Sequence, residues 1–133
     1  MEEKKITETM RADQFIDHCG MEVIYGETCS ARLHVEPMHL NPYGIVHGGV
    51  FYTMADTATG VTAMKYMESP VTLDSEFHFL GNVSSGTVTA RSEIVKTGKH
   101  VMWLRAKVES EDGKLLAEGT FTYYSGKKKE AEK

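Results

Sequence analysis

The sequence predicts an α+β domain in which a curved antiparallel sheet of five or six strands wraps around one long central helix. Two patterns carry this prediction. In the first half, apolar residues recur at helical intervals over one long stretch, whereas the second half alternates apolar and polar residues between short turn signals. Strands joined by such turns pair as an antiparallel meander, and the apolar stripe of a helix needs a sheet to cover it. The 133 residues suit a single domain, 1–133, with a core over about residues 15–124.

A short helix and two strands are predicted before the central helix. Helical spacing of Met10, Phe15 and Cys19 predicts the short helix, and Gly20 is its stop signal. Two alternating segments joined around Gly26 predict the strands, and their apolar positions are Met21, Val23, Tyr25, Cys29, Ala31, Leu33 and Val35.

The central helix is predicted by apolar residues three or four positions apart, which are Val46, Val50, Met54, Ala58 and Val61. The pattern continues to about Met67. Small residues are frequent in this stretch, and a glycine inside a helix costs about 1 kcal/mol relative to alanine. We therefore expect another backbone to pack closely against this helix.

Four strands follow the helix. In the first, apolar residues alternate with polar ones, and the apolar residues are Val71, Leu73, Phe77 and Phe79. The others are expected at about residues 87–95, 101–108 and 115–124, with turn signals at Gly81-Asn82, Gly98 and Asp112-Gly113. Gly119 lies in the middle of the last strand, where the sheet should bend or pack closely on the helix.

The composition excludes several classes of partner. The formal charge of −4 does not suit nucleic acid, and the basic run at residues 127–129 belongs to a tail. We expect frayed tails at residues 1–9 and 126–133. No apolar run is long enough to cross a membrane, and Cys19 and Cys29 make no disulfide framework, so a cytoplasmic protein is expected. The histidines lack zinc-ligand spacing, and no metal is expected.

The stretch from Asn41 to Gly49 and the carboxylate of Asp56 carry the chemistry of the chain. A polar turn and two glycines open the central helix there, and the first amides of a helix lack partners and lie at its positive end. A carboxylate in the apolar middle of a helix is costly and is seldom kept without a role. The two features are parts of an acyl-transfer site, namely an oxyanion donor and an acid, base or nucleophile.

The order of these residues resembles a known family. The pattern resembles the signature of hotdog-fold acyl-CoA thioesterases, and in particular of their PaaI-like (phenylacetate-pathway type) branch. The matching residues are Asn41, Gly44, His47, Gly48, Gly49 and Asp56. The resemblance extends over about residues 15–124, and its further matches are Thr72, Asp74, Phe77, residues 95–99 and residues 112–121.

The resemblance implies a role for each site residue. The backbone amide of Gly48 would polarise the thioester carbonyl, since glycine lets the substrate approach the helix start. Asp56 would act as a general base on water or as a nucleophile, and its position does not separate the two routes. Asn41 and His47 would flank and orient the thioester or the attacking water, and Thr72 would position that water.

Further residues are candidates for substrate binding. The turn after the fourth predicted strand could reach the phosphates of coenzyme A, although an ordinary charged hairpin fits it equally. Its residues are Lys96, Gly98, Lys99 and His100. Gly49 and Phe51 are candidates at the helix start and at the acyl group. No cofactor is expected, because coenzyme A is part of the substrate.

The spacing of Gly48 and Asp56 predicts that two copies of the chain share each site. Eight residues of helix separate them by about 12 Å, whereas a reacting carbon needs each group within about 3 Å. An antiparallel helix of a second copy would bring its Asp56 beside Gly48, and two-fold symmetry then creates two equivalent sites. We expect a homodimer, and the resemblance adds the dimer of dimers that is common in this branch.

Structural explanations for the same residues stay open. Asn41 could cap a loop, His47 could bond the backbone, the glycine pair could serve packing, and Thr72 suits a strand by propensity. Asp56 could be satisfied by neighbouring hydroxyls, those of Thr53, Thr57 and Thr59.

Two other functions also stay open. A hotdog hydratase or dehydratase would need a histidine–carboxylate pair, which His47 and Asp56 of a partner could supply. A non-catalytic acyl-CoA-binding or sensing module would need only the pocket. The acyl group, and a carrier other than coenzyme A such as an acyl-carrier protein, are not defined by the sequence.

Overall fold

The structure is a computed structural model that describes residues 13–127. These residues form two helices and six strands. In chain order they are α1 (Gln14–Cys19), β1 (Met21–Ile24), β2 (Ser30–His34), a 3₁₀ turn (Pro37–His39), α2 (Gly48–Ala63), β3 (Val71–Phe79), β4 (Thr87–Thr97), β5 (Val101–Ser110) and β6 (Leu115–Tyr124). The predicted α+β architecture is therefore confirmed, as are the strands on either side of the long helix.

The six strands form one antiparallel sheet in the order β1-β2-β4-β5-β6-β3. Only β4, β5 and β6 form the predicted meander; β3 pairs with β6 at the far edge instead. The prediction that all four later strands follow one another was wrong because α2 crosses the sheet and contacts every strand. After α2, the chain therefore continues as β3 at the edge of the sheet opposite β1 and β2.

One face of α2 is buried against the concave side of the sheet. Its buried residues are Phe51, Met54, Ala55, Ala58, Thr59, Thr62 and Ala63, whereas the predicted stripe residues Val50 and Val61 are only half-buried. The predicted stripe is confirmed at Val46, Met54 and Ala58, and it lacks the two threonines that belong to the buried face. Their hydroxyls donate to the carbonyls of the preceding turn, at 2.9 Å for Thr59 and 3.0 Å for Thr62, so they can be buried.

A β-bulge interrupts the alternation of β3. Thr72 and Asp74 pair with successive residues of β6, so Leu73 is an extra residue between them. Thr72 and Ser75 therefore both face α2, although they are three positions apart, and Leu73 is 59% exposed. The prediction that Leu73 shares an apolar face with Phe77 was wrong for this reason.

Gly119 marks a close approach within the sheet. A Cβ atom at this position would lie 2.2 Å from the carbonyl oxygen of Glu76 and 2.7 Å from the ring of Phe77. Both neighbours belong to β3, so the tight packing predicted at Gly119 occurs against the adjacent strand and not against the helix.

The ends of the elements differ in detail from the predictions. Gly20, at φ 78°, ends α1 as predicted, whereas Met10 lies outside the described residues. The regular part of α2 ends at Ala63 and not at Met67. No helix within residues 13–127 is both long and apolar enough to cross a membrane.

The start of the predicted C-terminal tail is held in place. The carbonyl of Lys127 accepts a hydrogen bond from the Glu68 amide at 3.3 Å, and its ammonium lies 3.7 Å from the Glu68 carboxylate. The expected fraying stays a prediction, and residues 1–9 and 128–133 lie outside the described part.

Candidate active site

Asp56 lies half-buried in the middle of α2, and one of its carboxylate oxygens is held by two hydroxyl groups. The Thr72 hydroxyl donates to Oδ1 at 2.7 Å, and the Tyr123 hydroxyl donates to the same oxygen at 2.9 Å. Thr72 and Tyr123 are direct neighbours in the β3–β6 pair. The structure thus joins two of the predicted site residues, Asp56 and Thr72.

These hydroxyls are not the ones that the helix itself offers. Thr53 donates to the Gly49 carbonyl at 2.8 Å, and Thr59 donates to the Ala55 carbonyl at 2.9 Å. Within residues 13–127, no hydrogen bond joins the Thr57 hydroxyl to Asp56. The alternative left open by the sequence, in which neighbouring threonines satisfy the carboxylate, does not occur, because the sheet supplies the donors.

Tyr123 is a site residue that sequence reasoning missed. Its hydroxyl also lies 2.7 Å from the Asp56 carbonyl and 2.8 Å from the Thr59 hydroxyl. Burial, followed by the nearby charge of Asp56, raises the pKa of Tyr123 well above its ordinary range. In the sequence, Tyr123 lies two positions after Phe121 on β6, so the alternation of the strand places both side chains on the buried face. This alternation indicates burial of Tyr123 but not a role at the site.

A cleft of about 190 Å³ opens beside the carboxylate. Val61, Met64 and Pro70 form its apolar wall, and Asp13 and Tyr123 also line it. Gly60 is part of this lining, and a Cβ atom there would lie 3.2 Å from the Tyr123 hydroxyl. The close approach predicted for helix glycines thus occurs here, against a side chain and not a backbone.

The start of α2 presents one amide without a protein partner. His47 is the N-cap, and its Nδ1 accepts a hydrogen bond from the Gly49 amide at 2.9 Å. The Val50 amide donates to the His47 carbonyl at 2.9 Å. Among the described residues, no group accepts from the amide of Gly48, the first residue of the helix. A donor at the positive end of a helix is therefore available to a ligand.

Gly48 and Asp56 lie on the same helix but far apart. They are the first and ninth residues of α2, which places them about 12 Å apart along the axis. Gly48 lies beside Phe79 at one end of β3, since a Cβ atom there would be 3.2 Å from that ring. Asp56 lies beside Thr72 at the other end of β3. One chain alone does not bring the amide and the carboxylate together.

Asn41 lies in the loop before α2 and not beside Asp56. Its side-chain oxygen accepts hydrogen bonds from the amides of Tyr43 at 2.9 Å and Ile45 at 3.3 Å. This is the loop-capping role that the sequence left open. The side-chain NH₂ of Asn41 has no protein acceptor within residues 13–127, so a role towards substrate stays a prediction.

The turn between β4 and β5 carries the residues considered for coenzyme A. Lys96 and Lys99 are exposed, and neither forms an ion pair with another described residue. His100 Nδ1 lies 3.1 Å from the Ser125 carbonyl, which can only accept, so this nitrogen carries a proton. Gly98 donates its amide to the Val101 carbonyl at 2.7 Å.

This turn lies at the Asp56 end of the sheet. Thr97, Met102, Tyr123 and Thr72 form one row across β4, β5, β6 and β3. The binding role of the turn stays a prediction, as does that of Phe51, which is only 1% exposed and belongs to the core. Within residues 13–127, no group of three or more His, Cys, Asp and Glu side chains could hold a metal ion.

The fold and the site together define a class of protein. A sheet of six strands encloses a long helix that carries a hydroxyl-held carboxylate and an unpaired amide at its start. These are the parts of a hotdog-fold protein that acts on thioesters. The chain belongs to the thioesterase superfamily, whose family model matches residues 43–117.

Individual relatives agree with this assignment. The chain is 30% identical to a 1,4-dihydroxy-2-naphthoyl-CoA hydrolase of Listeria monocytogenes, over 73% of this chain and 83% of that protein. A mutant of the phenylacetic acid degradation protein PaaI from Thermus thermophilus superposes with a TM-score of 0.78 at 28% identity, over 85% of this chain and 99% of that one. A thioesterase from Haemophilus influenzae, at 24% identity, shares the fold with a TM-score of 0.79 over 93% and 89% of the two chains. The predicted hotdog, PaaI-like thioester hydrolase is confirmed.

Proposed function

We propose that the protein hydrolyses acyl-CoA thioesters, with Asp56 of one chain and the Gly48 amide of a second chain acting on the same carbonyl. The observation that carries this proposal is that α2 offers one amide and one carboxylate oxygen that have no partner among the described residues. At the helix start, the Gly48 amide lacks a protein acceptor among the described residues. In the helix middle, Asp56 has one oxygen held by Thr72 and Tyr123, and its carboxylate lines an open cleft.

The open edge of β3 supports the second chain. β3 has nine residues, and on its outer side no described strand pairs with it. Val71 and Leu73 are each 59% exposed, and Phe79 is 57% exposed. A long apolar edge strand is a surface that proteins normally cover. Antiparallel pairing of β3 with β3 of a second copy would cover it and extend the sheet.

The same pairing would assemble the site. Within one chain, Asp56 lies at the Thr72 end of β3 and Gly48 lies at the Phe79 end. When two identical strands pair antiparallel about a two-fold axis, the first end of one lies beside the second end of the other. Asp56 of each copy would then lie near Gly48 of the other. This arrangement resolves the separation of about 12 Å along one helix.

In this site each residue has a chemical task. The Gly48 amide stabilises negative charge on the carbonyl oxygen as the thioester is attacked. Asp56 activates water or attacks the carbonyl itself, and both routes release the thiol of coenzyme A. His47 accepts from Gly49 through Nδ1, so in its neutral form Nε2 carries the proton and can donate to the thioester. The apolar wall of Val61, Met64 and Pro70 receives the acyl group.

A thiol-release assay over a panel of acyl-CoAs tests the proposal. The names of two relatives, a 1,4-dihydroxy-2-naphthoyl-CoA hydrolase and a phenylacetic acid degradation protein, direct the panel to aromatic acyl groups beside short and long chains. We expect thiol release by the wild type and a loss of at least about 100-fold in kcat for Asp56→Asn.

Two results would contradict this function. Loss of the double-bond absorbance of crotonyl-CoA without thiol release would assign a hydratase. Acyl-CoA binding without turnover on any member of the panel would assign a binding module.

A further inference from the structure

We infer that Tyr123 is a positioning residue that fixes the Asp56 carboxylate so that one defined oxygen faces the substrate. This inference rests on the hydrolase function proposed above. It begins from three contacts of one hydroxyl group. The Tyr123 oxygen lies 2.9 Å from Asp56 Oδ1, 2.7 Å from the Asp56 carbonyl and 2.8 Å from the Thr59 hydroxyl.

The count of protons determines what Tyr123 does. A tyrosine hydroxyl has one proton to donate. The 2.8 Å contact between the Thr59 and Tyr123 oxygens needs one proton, and Thr59 supplies it by sharing its proton between the Tyr123 oxygen and the Ala55 carbonyl. An ionised carboxylate is a stronger acceptor than a carbonyl or a hydroxyl. The Tyr123 proton therefore goes to Asp56, shared between Oδ1 and the carbonyl of the same residue.

The two oxygens of Asp56 then differ. Oδ1 accepts from both Thr72 and Tyr123, and two donors from neighbouring strands fix the plane of the carboxylate. Among the described residues, no donor reaches Oδ2. Oδ2 is thus the oxygen left for water or for the thioester carbon. Because its pKa is raised by burial and by Asp56, Tyr123 stays protonated and remains a donor at neutral pH.

Gly60 provides the space that this arrangement needs. It lies one turn after Asp56 on α2, and a Cβ atom there would be 3.2 Å from the Tyr123 hydroxyl. A methyl group at this position would force the hydroxyl to shift by a few tenths of an ångström. A glycine is otherwise unfavourable inside a helix. Gly60→Ala therefore gives a second way to disturb Tyr123, one that keeps the tyrosine.

The first test compares two tyrosine hydroxyls that each bond another side chain. Tyr123→Phe removes the donor to Asp56, whereas Tyr52→Phe removes a hydroxyl that bonds Ser75 at 2.6 Å, away from the carboxylate. We expect Tyr123→Phe to lower kcat by about 10- to 100-fold with little change in KM, as for a lost hydrogen bond to a charged group. The Tyr52→Phe control should keep the wild-type kcat.

The pH profile separates positioning from packing. A donor favours the ionised carboxylate, so its loss should move the acid limb of kcat/KM to higher pH. Asp13 is the other carboxylate that lines the cleft, and it is the same in every variant. A Tyr123→Phe profile that coincides with that of Tyr52→Phe would overturn the inference.

A double-mutant cycle with Gly60→Ala gives an independent test. If the added methyl acts through the Tyr123 hydroxyl, Gly60→Ala should lower kcat in the wild type and have almost no effect in the Tyr123→Phe background. An equal loss in both backgrounds would mean that the methyl fills the cleft, and it would overturn the inference. Gly60→Ala alone retains the tyrosine, so a wild-type kcat for this single variant would contradict the inference even when Tyr123→Phe folds poorly.

Carboxyl ¹³C NMR of Asp56 separates this inference from the proposed hydrolase. The Asp56 carboxyl signal at neutral pH should differ from the wild type in Tyr123→Phe but not in Tyr52→Phe, whatever the enzyme turns over, because only Tyr123 donates to Oδ1. A changed signal without thiol release from any acyl-CoA would refute the hydrolase and retain the positioning role. An unchanged signal with full turnover would do the reverse.

Discussion

Replacing Gly48 with proline tests the proposed oxyanion donor with little disturbance of the fold. Gly48 is the first residue of α2, a position at which proline is favoured because its missing amide has no helical partner. The preceding residue, His47, already has the extended backbone that proline requires, with φ −62° and ψ 134°. The substitution therefore removes one N–H group and leaves the helix able to form.

The structure also supplies a matched control. Any side chain at position 48 brings a Cβ atom to 3.2 Å from the Phe79 ring. Gly48→Ala has this contact and keeps the amide. We expect Gly48→Pro to lose about 100- to 1000-fold in kcat relative to Gly48→Ala, or about 3–4 kcal/mol of transition-state stabilisation. The free energies of unfolding in urea should agree within about 1 kcal/mol.

Mixing two inactive variants then asks whether the site is shared. In a heterodimer of Gly48→Pro and Asp56→Asn, one site has both natural groups and the other has neither. Random reassortment of equal amounts gives half heterodimers, so thiol release should recover to about a quarter of the wild-type value. The reasoning fails if mixtures stay inactive while native mass spectrometry shows heterodimers, or if Gly48→Pro turns over as fast as Gly48→Ala.

Three further results are expected. Gly119→Ala should lower the free energy of unfolding in urea by about 1–3 kcal/mol or more, because its Cβ atom would meet the Glu76 carbonyl. Gly113→Ala has open space around the new Cβ atom but φ 86°, and it should lower this free energy by only about 1–2 kcal/mol. The raised pKa of Tyr123 keeps its proton in the folded state above pH 10.0, where the unfolded chain loses it. This contribution to stability is complete below that pH and declines above it, by up to about 1.4 kcal/mol per unit, and Tyr123→Phe should lack this part of the decline. Asn41→Asp keeps the loop-capping oxygen and removes the NH₂ group, so we expect unchanged stability with a lower kcat. This result would assign the NH₂ group to the substrate, whereas a wild-type kcat would assign Asn41 to the loop alone.

Local patterns in the sequence were enough to predict most of the fold. Strand alternation and turn residues located β1, β2, β4, β5 and β6, and Gly20 marked the end of α1. The position of β3 at the sheet edge was not predictable in this way. Strand order depends on where α2 crosses the sheet, and no periodicity records that path.

The site was predictable only in the part that lies on one continuous segment. Gly48 and Asp56 stand out because a helix start and a buried carboxylate have local signatures. Tyr123 did not stand out, because it lies on β6, 67 positions after Asp56. Only the folded sheet brings its hydroxyl to the Asp56 carboxylate. The threonines in the buried face of α2 were missed because their hydroxyls are satisfied by the helix backbone.

The extra residue at Leu73 divides β3 into two independent parts. Side chains before it and after it keep separate phases, so Thr72 faces Asp56 while Ser75 and Phe77 keep their contacts with Tyr52. Deleting Leu73 would restore regular alternation with Thr72 still opposite Tyr123, so Thr72 would keep facing the carboxylate. Straightening the bulge with Leu73 retained would instead turn Thr72 to the other face of the sheet. The position of this hydroxyl therefore depends on the bulge as well as on the residue at position 72.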